Sequence, residues 1–298
     1  IERFRTPMRH RMAPGLGTAL AYKKMQCLLQ PSRSESIMKL SPCRVARLGA
    51  QAQSSVQLYG LIDLAAGSYE TSGSDRLTRV ESGGMTTSYL GFSGREDLGG
   101  GLVATFTLDH FLRADTGEAA RFNGDTLWSR NANVGLSGSF GSVFLGRKGT
   151  PFFVATLLFN PFGDAFGFSP AIRSYYGSTG ALAGDSGWND AISYTSPRIG
   201  GATVNLQYAL KENANGANVG GNVLYFGGPL AIAVTAQQVK KSVATGKETA
   251  YQLGASYTLG AAKLFGQYGQ IKEETAADLK DKIFQLGASY KIGEGSVL

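Results

Sequence analysis

What this chain has little of narrows the field first. Its 298 residues contain no run of 18 apolar positions and mean hydropathy is −0.08, which excludes a bundle of membrane-spanning helices. Only two cysteines occur, Cys27 and Cys43, both near the start, so neither a disulfide framework nor a Cys-x-x-Cys metal or redox site is expected. Beyond residue 52 a single histidine remains, His110; zinc ligation and Cys-His chemistry lack their side chains there. A Ser-His hydrolase would have to use His110. Gly91-Phe92-Ser93-Gly94 sits in a strand pattern that runs on rather than turning into a helix, so it is not a nucleophile elbow. No phosphate-cradling Gly-x-x-x-x-Gly-Lys-Ser/Thr occurs. No enzyme activity, metal or cofactor is expected.

The net charge of +7 and pI near 9.3 would ordinarily suggest a nucleic-acid partner. The excess is local. Residues 1–52 carry 10 of the 29 Lys/Arg and 2 of the 22 Asp/Glu, leaving 19 basic against 20 acidic residues in 53–298. No nucleic-acid partner is expected. Ala50-Gln51-Ala52 before Gln53 reads as a small-x-small cleavage site, and Met38-Lys39 as a short basic start. The segment between them supplies Pro42, Arg44 and Arg47 where an apolar run belongs. Residues 1–52 therefore read as a damaged signal peptide or basic prefix, expected to be disordered and set aside from the fold.

What is present is glycine, 41 residues, with 16 Phe, 13 Tyr and 2 Trp, a mixture of turn and strand formers. The dominant period after Gln53 is two. In Ala202 to Tyr208, Val204, Leu206 and Tyr208 alternate with Asn205 and Gln207; Tyr251, Leu253, Ala255 and Tyr257 alternate with Gln252, Gly254 and Ser256. About twelve strands are expected, near 55–66, 86–96, 102–111, 127–138, 142–147, 190–196, 202–211, 222–226, 230–239, 250–258, 262–271 and 282–292. Several approach ten residues, the length a tilted strand needs to cross a bilayer. Tight Gly-rich turns at 99–101, 138–141, 197–201, 227–229, 260 and 293 alternate with longer polar connections at 67–85, 112–126, 148–188, 211–221, 240–249 and 272–281. That rhythm predicts an all-β fold, an antiparallel up-and-down transmembrane β-barrel with short turns on one side. Lipid offers no partner for backbone N–H or C=O, so strands persist there only in a closed sheet. Its outer face must be apolar and its inner face hydrated. Phe140, Tyr194, Tyr208, Phe226, Tyr257 and Tyr290 lie near strand ends, where interfacial girdles sit.

Specific runs then point to a family. Ser54 to Asp63 resembles the first strand of Gram-negative general porins, the β-proteobacterial ones above all. Ser88-Tyr89-Leu90-Gly91-Phe92-Ser93-Gly94-Arg95-Glu96-Asp97-Leu98-Gly99-Gly100-Gly101-Leu102 resembles their second hairpin. Val134 to Gly141, Leu145-Gly146-Arg147, Ile192 to Pro197 and Leu253 to Tyr257 follow in the family's order. The resemblance spans 53–298. It implies a sixteen-stranded barrel in the bacterial outer membrane, a homotrimer amid lipid and lipopolysaccharide, passing small hydrophilic solutes and ions by passive diffusion. Family members usually close on a strand ending in Phe; this chain stops at Gly295 to Leu298, where a thirteenth strand would start, and so reads as a barrel lacking its last strands. A barrel serving mainly as an adhesin or surface antigen is the alternative.

The resemblance also implies where the work is done. The third loop, here 148–188, folds into the barrel and narrows it, with Pro151 to Val154 and Leu157 to Phe159 available to pack on the wall. Basic wall residues face loop acids across the gap, arginine being suited by its permanent charge and forked donors. Arg130 matches one wall position, although parity from Val134 turns it outward unless a bulge or the strand end intervenes. Arg147 and Lys148 enter the loop, Arg173 lies within it, Asp164 is the loop acid, and Asp63 and Asp109 face the lumen. Tyr89 and Gly187 stand where the family often has arginine, so only weak ion selectivity is expected.

Overall fold

The computed structural model describes residues 55–70, 73–177, 180–210, 216–242, 246–274, 279–293 and 296–297; the expectation for residues 1–52 lies outside them. In chain order the elements are β1 (Ser55–Leu61), β2 (Leu64–Tyr69), β3 (Leu77–Ser82), β4 (Tyr89–Gly99), β5 (Leu102–Arg113), β6 (Glu118–Ala119), β7 (Asn131–Gly138) and β8 (Gly141–Gly149). Two helices follow, α1 (Pro151–Leu158) and α2 (Pro170–Tyr176). Then come β9 (Gly187–Trp188), β10 (Ala191–Thr195), β11 (Ala202–Ala209), β12 (Asn218–Gly227), β13 (Leu230–Ser242), β14 (Gly246–Leu259), β15 (Ala262–Glu273), β16 (Lys280–Ile292) and β17 (Ser296–Val297).

The twelve long strands pair antiparallel, each with the next in the chain, in the order β1-β4-β5-β7-β8-β10-β11-β12-β13-β14-β15-β16, with β17 beginning on β16. Alternation decides the faces. Val204, Val223, Val234, Leu253, Tyr268 and Phe284 stand side by side across six strands, and all are exposed. One residue along, Asn205, Asn222, Thr235 and Gln252 form the neighbouring row on the opposite face. Tyr208 is 46% and Leu206 52% exposed while Gln207 between them is 2%. A surface apolar over so many strands is what acyl chains solvate, and a soluble protein would bury it. Phe140, Phe226, Tyr257 and Tyr290 are exposed near the short-turn end, as a girdle requires. No described helix is long and apolar enough to cross a membrane.

Four expected boundaries need correction. The first strand is not continuous over 55–66: β1 ends at Leu61, and β2 pairs with β3 in a separate hairpin. The cause is Asp63, whose carboxylate accepts the Met85 and Thr86 N–H groups at 2.7 and 2.8 Å while its own N–H reaches Ser88 Oγ at 2.9 Å. That knot turns the chain out of the sheet. The strand expected at 127–138 starts at Asn131, because residues before it bend toward Asp109. The loop expected at 211–221 gives way to β12 at Asn218. Residues 240–249 are mostly ladder: β13 and β14 run to Ser242 and from Gly246, held past their apolar stretch by Lys241 against Glu248 and Glu273.

The buried apolar residues do not lie between two sheet faces. They lie between the inner wall and the segment following β8: Ala155 and Phe159 against Leu224, Ala231 and Ala233, then Phe152 and Tyr175 against Leu182, Ala250 and Ile271.

Candidate pore constriction

The segment of residues 150–177 and 180–186 folds onto the inner face of the sheet. Its two helices start in the same way: Thr150 and Ser169 cap the Phe153 and Ile172 N–H groups, and Pro151 and Pro170 follow at the first helical positions. Amide side chains of the wall hold its backbone. Gln207 donates to Lys148 O at 3.1 Å, Asn222 to Pro151 O at 2.7 Å and Gln267 to Thr156 O at 2.9 Å, and Gln252 reaches Thr156 Oγ1 at 2.9 Å. Wall glycines make room for its rings. A Cβ at Gly254 would stand 2.7 Å from the Phe159 ring, one at Gly287 2.7 Å from Pro161, and one at Gly269 would collide with the Tyr175 hydroxyl.

From that dock the segment crosses to the opposite wall. Gly167 N donates to Gly84 O at 3.0 Å, and Asp164 accepts from Thr86 Oγ1. Asp164 thus reaches the wall at Thr86 and forms no contact with Arg130 among the described residues. Arg130 is already engaged: its Nη1 lies 2.7 Å from Asp109 Oδ2 and its guanidinium stacks 4.0 Å over the Tyr89 ring. Asp109 is buried and also accepts from Asn131 Nδ2 at 2.7 Å and from the Tyr59 hydroxyl. Arg130 stands just before β7, so the strand end resolves the parity problem. Asp63 is buried against Met85 and Thr86, which links it through Thr86 to Asp164.

Arg147 and Lys148 do not enter the loop; both belong to β8. Arg147 is fastened to Ser129 O, Gly187 O and Asn189 Oδ1, and pairs with Asp185. Asp185 in turn faces Arg121, whose fork also grips Asp125 at 2.7 Å. Burial alone raises the Asp185 carboxyl; the hydrogen bonds and charges of Arg121 and then Arg147 outweigh it and bring it down to about 2. The Arg121 guanidinium is opposed by burial but held above its ordinary range by Asp125 and Asp185. Lys148 lies with Nζ 3.3 Å from the centroid of the Phe144 ring. Arg173, exposed on α2, donates to Gly167 O at 3.1 Å. Tyr89 serves as the platform beneath Arg130, and Gly187 pairs with Gly149 in β9.

Sequence reasoning missed the Arg121–Asp125–Asp185 group, the part of Tyr59, and both helices. The Thr150-Pro151 and Ser169-Pro170 pairs are the available helix signal, and the four-residue spacing of Arg121 and Asp125 a charge signal. Nothing local marks Asp185 as their partner.

A sheet with a lipid-type exterior, a polar inner face and a long loop packed on that face defines a class, the outer-membrane β-barrels. The Gram-negative porin family matches residues 46–298. The outer membrane porin protein 32 of Delftia acidovorans is 37% identical over 237 residues, covering 75% of this chain and 66% of that protein. An outer membrane porin protein of Bordetella pertussis is 28% identical over 258 residues, 72% of this chain and 63% of its own. Among solved structures, an anion-selective porin from Comamonas acidovorans superposes with a TM-score of 0.70 at 32% identity, covering 81% of this chain and 75% of that one. OmpT of Vibrio cholerae, with its L8 loop deleted, shares the fold at a TM-score of 0.61 and 16% identity, over 82% of this chain and 79% of that one. The chain belongs to the Gram-negative porin family, whose barrels lie in the outer membrane. It spans less than two thirds of the length of the first two relatives.

Proposed function

We propose that this protein is a porin in the working sense: a water-filled channel for passive diffusion of small hydrophilic solutes and ions, with no covalent chemistry of its own. The observation that carries the reading is the loop. Its described residues, 150–177 and 180–186, pack against wall amides and reach Gly84 and Thr86 on the facing strands, which supports a loop that narrows a lumen; an adhesin would hold its long loop outward. The protein works as a homotrimer, in contact with outer-membrane lipid and lipopolysaccharide through its apolar face and its long-connection end. Arg130, Asp109, Tyr89, Asp63 and Asp164 line the throat on one side, with Arg147, Lys148 and Arg173 at the root and on the second helix of the loop.

Selectivity is weak in this reading. Arg130 attracts anions only as far as the adjacent Asp109 leaves its charge uncancelled. The relative whose name records anion selectivity is therefore a guide to the fold and not to the ion preference here. The test is reconstitution of the purified protein into planar bilayers. Ohmic, weakly selective conductance that admits small sugars in liposome swelling is expected. Absence of conductance from properly inserted protein would overturn the reading.

A further inference from the structure

The outward face of β13 to β16 changes character toward its long-connection end. Lys240 stands directly across the ladder from Lys247, and Lys272 from Lys280; Lys282 follows on β16, opposite Gln270. Each lies an even number of positions from an exposed apolar residue of its own strand, Val234, Tyr251, Tyr268 or Phe284, and so shares the lipid-facing side. The acids nearby mostly turn the other way. Glu248, Glu273 and Asp281 occupy inward positions, where Lys241 pairs with the first two at 3.3 and 2.6 Å. Glu274 meets Lys247 at 3.3 Å. Among the described residues, this end of the four strands therefore sets five outward lysines against one acid.

Lysines at a membrane edge commonly extend their heads into the polar layer, but the feature is local here. Outward residues at the same end of β4, β5, β10 and β11 are Leu90, His110, Ile192 and Tyr208. Like charges directly opposite in a ladder destabilise it, and an anion laid over Lys240 with Lys247 and over Lys272 with Lys280 relieves that cost. Below the lysines the surface is hollow. Gly221 and Ala236 are ladder neighbours flanked by Leu206 and Tyr251, and this small pair leaves an apolar depression of about 370 Å³. Ala236 precedes Lys240 by four residues, about 13 Å along a strand. An apolar slot with cations at that height suits a molecule with acyl chains and a phosphorylated head. Long connections face outward from the cell in barrels of this kind, so the lysines lie at the outer leaflet.

We propose that this face is a seat for one lipopolysaccharide molecule. Its lipid A phosphates lie on Lys240, Lys247, Lys272 and Lys280, and one acyl chain lies in the slot over Gly221 and Ala236. The proposal rests on the outer-membrane lipid contact in the reading above and gives that contact a place.

Native mass spectrometry of the full chain in detergent, mixed with lipid A carrying both phosphates, tests it. Planar-bilayer conductance of the same preparation keeps the readings apart: protein that conducts but holds no lipid A loses the seat and keeps the pore. One lipid A retained per chain is expected. Lys240→Gln together with Lys247→Gln weakens its binding about thirtyfold, each lysine having the effect usual for a basic residue at an anionic membrane surface. Ala236→Phe fills the slot and weakens binding with the lysines intact, whereas Lys263→Gln, beside the Gly260 turn at the other end, leaves it unchanged. A second comparison needs no variant: lipid A stripped of its phosphates binds the unaltered protein at least tenfold more weakly, and excess inorganic phosphate does not release the intact lipid. Equal binding of the two lipid A forms would overturn the proposal. So would retention unchanged in both the lysine and the Ala236 variants, or lipid-free association of copies of the chain that Ala236→Phe abolishes.

Discussion

The wall from β11 to β16 and the wall from β1 to β8 meet the same loop on different terms. Along the first, strands pair in unbroken register from β14 to β16, and the loop is held by neutral amides and by glycines that accept its rings. Along the second the strands are interrupted by knots and bends, and the groups that meet there are acidic and basic: Asp63, Asp109, Arg130, Arg147. One wall is a dock and the other a charged surface, with the loop strung between them. Shape of the throat is therefore assigned to one half of the molecule and its electrical character to the other.

Breaking the dock should give the largest effect. Gly269→Leu places a side chain where the Tyr175 hydroxyl sits, and Gly254→Leu one against the Phe159 ring. Overpacking of this kind costs about 1–3 kcal/mol per site, and the loop is the softer partner because the wall is fixed by its ladder. The double variant should show raised single-channel conductance together with a lower thermal midpoint. Conductance and midpoint both equal to those of the unaltered protein would mean that these glycines do not seat the loop.

On the charged wall, Asp109→Asn sharpens the comparison. The substitution keeps the shape and the Tyr59 contact but removes the countercharge 2.7 Å from Arg130. Permeability should move toward anions by about threefold at low salt, on the scale of one uncompensated charge near the path, with conductance almost unaltered. A change in conductance without a change in reversal potential would reverse the assignment of roles to the two walls.

The same division explains what can be read from sequence. The β11–β16 wall announces itself, since Val204 to Tyr208 and Tyr251 to Tyr257 carry an uninterrupted period of two and pairing between neighbours follows from chain order. Inner-face glycines at 254, 269 and 287 look like ordinary strand weakening until the loop is seen against them; sequence gives the vacancy but not its occupant. The charged wall is legible only by residue type. Arg130 and Asp109 are recognisable as lumen candidates, but their pairing depends on β7 starting only at Asn131, and Asp185 meets Arg121 and Arg147 across 64 and 38 residues of chain. Asp63 shows the limit most plainly: the alternation of Ile62 and Leu64 argues for a continuous strand, and three hydrogen bonds from distant backbone and side-chain groups decide otherwise.

The Asp185 junction joins the loop's return leg to the charged wall and should respond to acid. Its carboxyl is held at about 2, below the ~3.9 of an unfolded aspartate. A depressed carboxylate contributes stability that is fully present above the unfolded value and is lost as pH falls through the folded one. The junction should therefore hold at pH 5 and weaken progressively between about pH 4 and 2. Trp188, buried two residues beyond the adjoining Ser186, reports it by fluorescence. Asp185→Asn should loosen the junction already at neutral pH and abolish the acid transition; an identical acid profile in that variant would place the transition elsewhere.

The smallest effect belongs to Asp164, the loop acid whose carboxylate meets Thr86 at the far end of the bridge. It is exposed, its bond is to a hydroxyl rather than a cation, and an exposed contact of this kind is worth about 0–1 kcal/mol. Asp164→Lys should leave the thermal midpoint nearly unchanged, because the dock on the other wall holds the loop without it. The reversal potential should still move toward anions, by less than in Asp109→Asn, since solvent around the site screens the new charge. Raising the salt separates the two. The screening length shrinks from about 10 Å at 0.1 M to about 3 Å at 1 M, so the Asp164→Lys shift should vanish first, while the shift from the buried Asp109 persists in part. Equal loss of both shifts with salt would mean that Asp109 and Asp164 sit in the same water and that burial of one wall has no bearing on how ions see it.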